Sequence, residues 1–314
     1  MVFAVIYLLF PSIQYATLFD FHAETLVAPL LLYTLYFFQR RHWLWFALFL
    51  MLSLMGKEPV SLVVAAWGLV LILWERRWRM GASLMGLGVI WFAVSLWVVI
   101  PHFTGGEVWF QFSALYPHLG GQEGASGILQ TLFTRPDVFL TTLFSVTKLG
   151  YVLLILVPVG FLSFLHWPTL LIASPVFIIN LLGRGTTVLI TNQRASIIVP
   201  FVLLSALTGI GWVAQRWARQ QRPGEGKNAI NPIRETVVFS LSVFVLSTSL
   251  LSNFFFSWSP LSLNFWRPGQ WYHWANVQAF QKTSHDAVID QFVALIPPQV
   301  PVSVSPHIHP KLSL

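Results

Sequence analysis

The sequence predicts an all-α polytopic membrane protein, and three observations carry that prediction. Of the 314 residues, 56% are hydrophobic and 9% are charged, a balance far more apolar than that of a soluble domain. The apolar residues come in runs separated by short basic clusters. The chain also holds 15 Trp and 27 Phe, which suit membrane-interface belts and lipid-facing surfaces. A soluble fold could not cover its core with so few charges, and a bilayer removes that need. The net charge of +7 is explained by topology, so no nucleic-acid partner is expected. The absence of cysteine excludes disulfides and thiol catalysis.

Taken in order, residues 1–10 are an apolar run too short to span alone and read as the end of a helix. Residues 11–24 are a polar interruption. Residues 25–38 form the next span, stopped by Gln39-Arg40-Arg41-His42. Residues 43–55 and 60–74 are each short of the about 20 residues of a full span. They are thin helices, or a re-entrant pair with Lys57 and Glu58 at the tip. Glu75-Arg76-Arg77-Trp78-Arg79 is a second basic stop, and residues 81–100 span again.

Residues 101–137 are too long for a structureless connection, and residues 138–147 read as a short interfacial helix. Spans follow over 149–165 and 169–182, the second with a kink expected at Pro175. Residues 183–194 are polar, 195–213 span, 214–234 form a basic linker, and 236–256 form the last span. Beyond it, 276–294 has helical periodicity and 300–304 alternates like a strand. The expected architecture is roughly eight transmembrane or re-entrant helices plus a partial N-terminal one. The transmembrane domain covers 1–257, with an outer loop at 101–148 and the linker at 214–234. Residues 258–314 would begin a small outer-face α/β domain. Material is expected to be missing at both ends, because the chain opens inside an apolar run and stops after a strand-like stretch.

Lys and Arg placement sets orientation. Arg40, Arg41, Arg76, Arg77, Arg79, Arg216, Arg219, Arg222, Lys227 and Arg234 fall in loops of one parity, taken as cytoplasmic. The segments 11–24, 56–59, 101–148, 183–194 and 257–314 then share the outer face, whether 43–74 crosses or is re-entrant.

Every candidate site residue falls on that outer face. Asp20, His22 and Glu24 directly precede a span. Charged groups near lipid are costly and usually face a bundle interior or a cavity. In an extended segment the three side chains share one side, suiting a divalent metal or an acid–base pair. The plainer alternative is a helix N-cap with Glu24 in the first turn. Lys57 and Glu58 precede Pro59, which suits a first helical turn, so Lys57 could contact a phosphate at that terminus; an exposed turn pair is the alternative. Arg194 follows a polar Thr-Asn-Gln run and suits phosphate, against simple interfacial snorkelling. Arg184 has the same ambiguity. Tyr116 and His118 sit in the Gly-rich outer loop and could line a cleft. His307 and His309 lack the further ligands that a metal site needs.

Phe-Asp-Phe-His-x-Glu before a span, Gly-Lys-Glu-Pro about 30 residues later, the Tyr116…Leu119-Gly120 loop and the tail at 296–303 together resemble the domain of unknown function 2079 family. That family of bacterial membrane proteins is similar to the C-type glycosyltransferases. The resemblance implies many spans, a lipid-phosphate-linked sugar donor and an active site facing away from the cytoplasm, in the inner membrane. It implies a polyprenyl-phosphate sugar donor held by Lys57 and Arg194, with Glu58, Tyr116 and His118 completing the substrate site. Asp20 and Glu24, supported by His22, would be the catalytic group and would hold Mg or Mn or orient the acceptor. The chain departs from the C-type pattern in lacking the first outer loop with its acidic residue. A transporter for an anionic lipid or solute and an inactive remnant are the alternatives.

Overall fold

Among the described residues every regular element is a helix. The computed structural model describes residues 2–18, 22–105, 110–221, 232–267 and 284–297. Two short helices, α1 (Val2–Leu9) and α2 (Pro11–Leu18), open the chain. The expected polar interruption is therefore helical as far as residue 18. Its Gln14 amide is satisfied internally: Asn253 Nδ2 donates to Gln14 Oε1 at 2.8 Å and to the neighbouring Leu9 O at 2.9 Å.

Helix α3 (Ala23–Arg40) runs back from that end. A tight turn with Arg41 in the left-handed region (φ 58°) leads into α4 (Trp43–Leu54), and α5 (Glu58–Leu73) follows. Helix α4 packs along α3, and α5 meets α3 near its two ends. Phe38 near the end of α3 meets Phe46 of α4 and Trp67 of α5, with ring centroids at 5.4 and 4.8 Å. At the opposite end, Gly56 lies so close to Val27 that an added Cβ would sit 2.3 Å from it. The tip of the α4–α5 hairpin therefore reaches the start of α3, and its open side reaches the basic cluster at 75–79.

Helix α6 (Trp78–Val94) returns along α5. The two backbones touch: a Cβ on Gly68 would lie 2.4 Å from Gly81 O, and one on Gly88 would lie 2.4 Å from Ser61 O. Small residues let membrane helices approach this closely. A π-turn (Ser95–Val99) carries α6 into α7 (Ile100–Thr104).

The described part of the long connection after α7 is folded into short helices rather than left open. These are α8 (Phe110–Leu115), two 3₁₀ turns over 117–123, α9 (Gly124–Thr134) and α10 (Pro136–Leu143). Helix α11 (Val146–Leu156) descends to a 3₁₀ segment at Leu162–His166, and α12 (Trp167–Leu171) and α13 (Ser174–Leu182) return. The chain bends by 92° between α12 and α13. Pro175 is not a mid-helix kink, as the sequence suggested. It occupies the first turn of α13, where its missing N–H costs nothing. A 3₁₀ turn (Gln193–Ile197) leads into α14 (Val199–Gln221), and α15 (Pro232–Phe256) packs beside it. Helices α16 (Leu263–Trp266) and α17 (Ser284–Ala294) follow.

Three helical stretches are long and apolar enough to cross a membrane: Trp78–Thr104, Gln193–Gln220 and Pro232–Phe256. Counting each bent pair as one span gives up to five. The expected eight are not reached, because α4 and α5 are short and the 146–182 region is broken. No strand occurs among the described residues. The stretch expected to start a β-strand, 300–304, lies outside them.

Candidate functional site

The end of the bundle opposite the arginine-rich turns is where the polar groups singled out from the sequence meet. Helix α3 begins at Ala23 with His22 as an extended N-cap residue, and Glu24 falls in the first turn. The helical start rules out one extended row of Asp20, His22 and Glu24 at its last member. Glu24 is buried, 2% exposed. Lys57 Nζ lies 3.2 Å from its Oε1, without the geometry of a directed hydrogen bond. Lys57 is the extended N-cap residue of α5, with Pro59 in the first turn behind it. The backbone thus turns Lys57 toward α3 and starts Glu58 at a helix N-terminus, favourable for a carboxylate. The charges of Lys57, Arg194 and Glu24 all act on Glu58.

Arg194 arrives on the 3₁₀ turn at Gln193–Ile197. Ser196 of that turn donates to Glu24 O at 3.0 Å, which ties the turn to the first residues of α3. Asn192 Oδ1 accepts from the Arg194 backbone N–H at 3.1 Å. The Tyr116 hydroxyl donates to Ile179 O at 3.2 Å and is in hydrogen-bond contact with the Arg194 guanidinium. Burial raises the Tyr116 phenol above its ordinary value of 10, and the Arg194 charge opposes that shift. The phenol is therefore a neutral donor near neutral pH.

Glu24, Lys57, Glu58, Tyr116 and Arg194 line one cavity of about 440 Å³. Its other walls are apolar: Phe92, Leu96 and Trp97 from α6 and the π-turn, Ile128, Leu129 and Leu132 from α9, and Val176 and Ile179 from α13. Asn180 completes the lining and donates to the buried Tyr151 hydroxyl at 2.8 Å. The chamber is amphipathic: two acids and two bases share it with a mostly apolar lining. Such a site fits a ligand with an anionic head and a hydrocarbon body.

Not every expected residue joins it. Asp20 lies outside the described residues, as do His307 and His309. His22 and His118 do not line the cavity, nor does Arg184, which is exposed just past the end of α13. Among the described residues no three His, Asp or Glu side chains gather as metal ligands. Glu24 does not suit a divalent cation as it stands, because the Lys57 ammonium already faces its carboxylate. The expectation of Mg or Mn rests on Asp20.

The family model described as a predicted membrane protein, domain of unknown function 2079, matches residues 1–314. The chain belongs to this family. No curated protein and no solved structure matches it. Family membership agrees with the apolar helices and leaves the chemistry to be argued from the cavity.

The hydrophobic wall was invisible in the sequence. Trp97, Ile128 and Val176 are apolar residues in an apolar chain, so nothing distinguishes them until the helices pack. Asn180 carried a usable signal, as a lone amide inside the run 169–182.

Proposed function

We propose that this is a membrane glycosyltransferase-like protein that takes a sugar from a polyprenyl-phosphate donor and passes it to an acceptor. The observation that supports this best is the shared cavity, in which Lys57 and Arg194 face the same space as the apolar walls. A phosphate suits two cations, with Arg able to grip it bidentately. An isoprenoid chain suits the apolar lining. In the transfer step the bond between the sugar anomeric carbon and the phosphate oxygen breaks, and its electron pair leaves on the phosphate. A new bond forms to the acceptor hydroxyl oxygen, whose proton passes to a carboxylate. Glu58 is the carboxylate we assign to that proton, because Glu24 is held by Lys57. Asp20 stays within the proposal as an acceptor-orienting group.

The positive-inside rule assigns the arginine-rich end to the cytoplasm. The cavity then opens at the extracytoplasmic face of the inner membrane. We read the α3–α4–α5 unit as crossing, since α3 is about 27 Å long at 1.5 Å per residue and α4 packs along it.

The test is binding and turnover in lipid nanodiscs. Tritiated polyprenyl phosphate should bind the wild-type chain, and Arg194→Gln should weaken binding about tenfold or more. Removing Lys57 alone would strand a buried carboxylate, so the paired variant Glu24→Gln/Lys57→Gln is the matching test. A polyprenyl-phosphate hexose should lose its sugar to an acceptor with the wild type and not with Glu58→Gln. Equal binding by all variants would remove the phosphate role. Intact binding without any transfer would leave a lipid-phosphate binding protein and reject the enzyme.

A further inference from the structure

A second group of basic side chains gathers at the same end, outside the cavity. Lys148 is only 9% exposed, and its ammonium donates to Thr142 O. It is presented by the first turn of α11, where Ser145 Oγ accepts from the Lys148 backbone N–H at 3.3 Å. Arg184 is fixed by its backbone N–H, which donates to Leu115 O at 3.0 Å. His118 sits on the 3₁₀ turn Pro117–Leu119, ended by Gly120 at φ 77°. These three side chains come from separate elements and lie within electrostatic reach of one another. Arg184 and Lys148 are the charges acting on His118, and Arg184 is the charge acting on Lys148.

All of those influences have the same sign. Among the described residues no carboxylate pairs with any of the three. Both ring nitrogens of His118 are shielded from solvent and make no well-formed hydrogen bond, although the Leu182 carbonyl approaches the ring. Gathering and partly burying like charges is unfavourable unless an opposite charge sits among them. The fold nevertheless holds the group in place through backbone bonds and packing. An apolar wall of Leu119, Phe139 and Leu182 lies alongside, and Phe139 and Leu182 also line the cavity described above.

We propose that His118, Lys148 and Arg184 form a second anion subsite, which takes a phosphate group. A phosphate suits it better than a carboxylate, because it offers about two negative charges and three acceptor oxygens to donors arriving from three elements. The subsite does not depend on glycosyl transfer and would hold for any ligand of the first cavity. The phosphate could come from a free phosphorylated solute or from a lipid headgroup, and the same chemistry serves both.

The test uses the full chain in phosphatidylcholine nanodiscs with ¹⁵N-labelled histidine, the His118 signal being assigned by its loss in His118→Gln. Inorganic phosphate should move that signal saturably. Arg184 is exposed, so Arg184→Gln should fold normally and weaken half-saturation about tenfold or more. Arg194→Gln, in the first cavity, should leave it unchanged. Replacing phosphatidylcholine with phosphatidylglycerol distinguishes the sources: a shift without added phosphate identifies a lipid headgroup. A His118 signal that responds to neither phosphate nor anionic lipid overturns the proposal. So does equal weakening by Arg194→Gln, which would merge the two sites. Failure of sugar transfer would not touch this result.

Discussion

Glu24 and Lys57 show how much a single contact decides in this protein. A carboxylate buried to 2% exposure is tolerable only with a compensating partner, and removing one member of such a pair typically costs about 3–5 kcal/mol. This is why a paired substitution is the informative one. His118 offers a cleaner residue-scale prediction. Burial, together with the charges of Arg184 and Lys148, holds its imidazole below the ordinary value of 6.5. The folded protein therefore binds that proton less readily than the unfolded chain. Its stability contribution is full above pH 6.5 and is lost as pH falls from there toward the folded-state value. In phosphate-free buffer, acidification from about pH 7.5 to 5.5 should lower the unfolding temperature of the wild type more than that of His118→Gln. Identical acid sensitivity in the two proteins would show that the ring does not titrate as described. Lys57, Glu58, Tyr116 and Arg194 were legible from sequence because a polar residue bordering an apolar run stands out. His118 was singled out too, but it does not line the cavity that Tyr116 lines, since spacing along a loop does not tell which wall a side chain faces.

Among the elements, α5 and α6 form the tightest pair. Gly68 is in contact with the α6 backbone, and a Cβ there would meet Gly81 O at 2.4 Å and Met85 N at 2.5 Å. Neither backbone atom can yield without separating the helices. Gly68→Val should therefore cost about 1–3 kcal/mol or more through overpacking. Gly86 lies on the same α6, but a Cβ added there would meet nothing within 4 Å, so this position should tolerate valine. Thermal unfolding of both variants in detergent checks the pair, and equal losses would mean that the close approach does not matter. Helix existence was well read from apolar runs, and ends were often within a few residues. What failed was continuity. Pro175 starts a helix after a 92° bend, and the connection after α7 condensed into short helices, because local sequence does not reveal where a chain finds partners for its backbone.

For the molecule as a whole, the described residues divide the ionic groups between two ends. Arg40, Arg41, Arg76, Arg77 and Arg79 flank one end of the α3–α6 unit, whereas Glu24, Lys57 and Glu58 sit at the other. The chain contains no cysteine, so single introduced thiols can be read without background. Arg41→Cys and Thr186→Cys alter exposed positions. In intact cells an impermeant maleimide should label Thr186→Cys alone, and Arg41→Cys only after permeabilisation. Labelling of both from one side would reject the two-ended arrangement. The amide of Asn253 has a consequence of another kind. It bridges Leu9 and Gln14 across 244 and 239 positions of sequence. Ribosomes deliver the first pair of helices long before the helix that satisfies them. During that interval the Gln14 amide must wait in the bilayer without its final partner, and the arrival of α15 is the event that closes the bundle. This seam therefore closes only after residue 253 has been made, and a nascent chain arrested before it would present the quality-control machinery with an open seam.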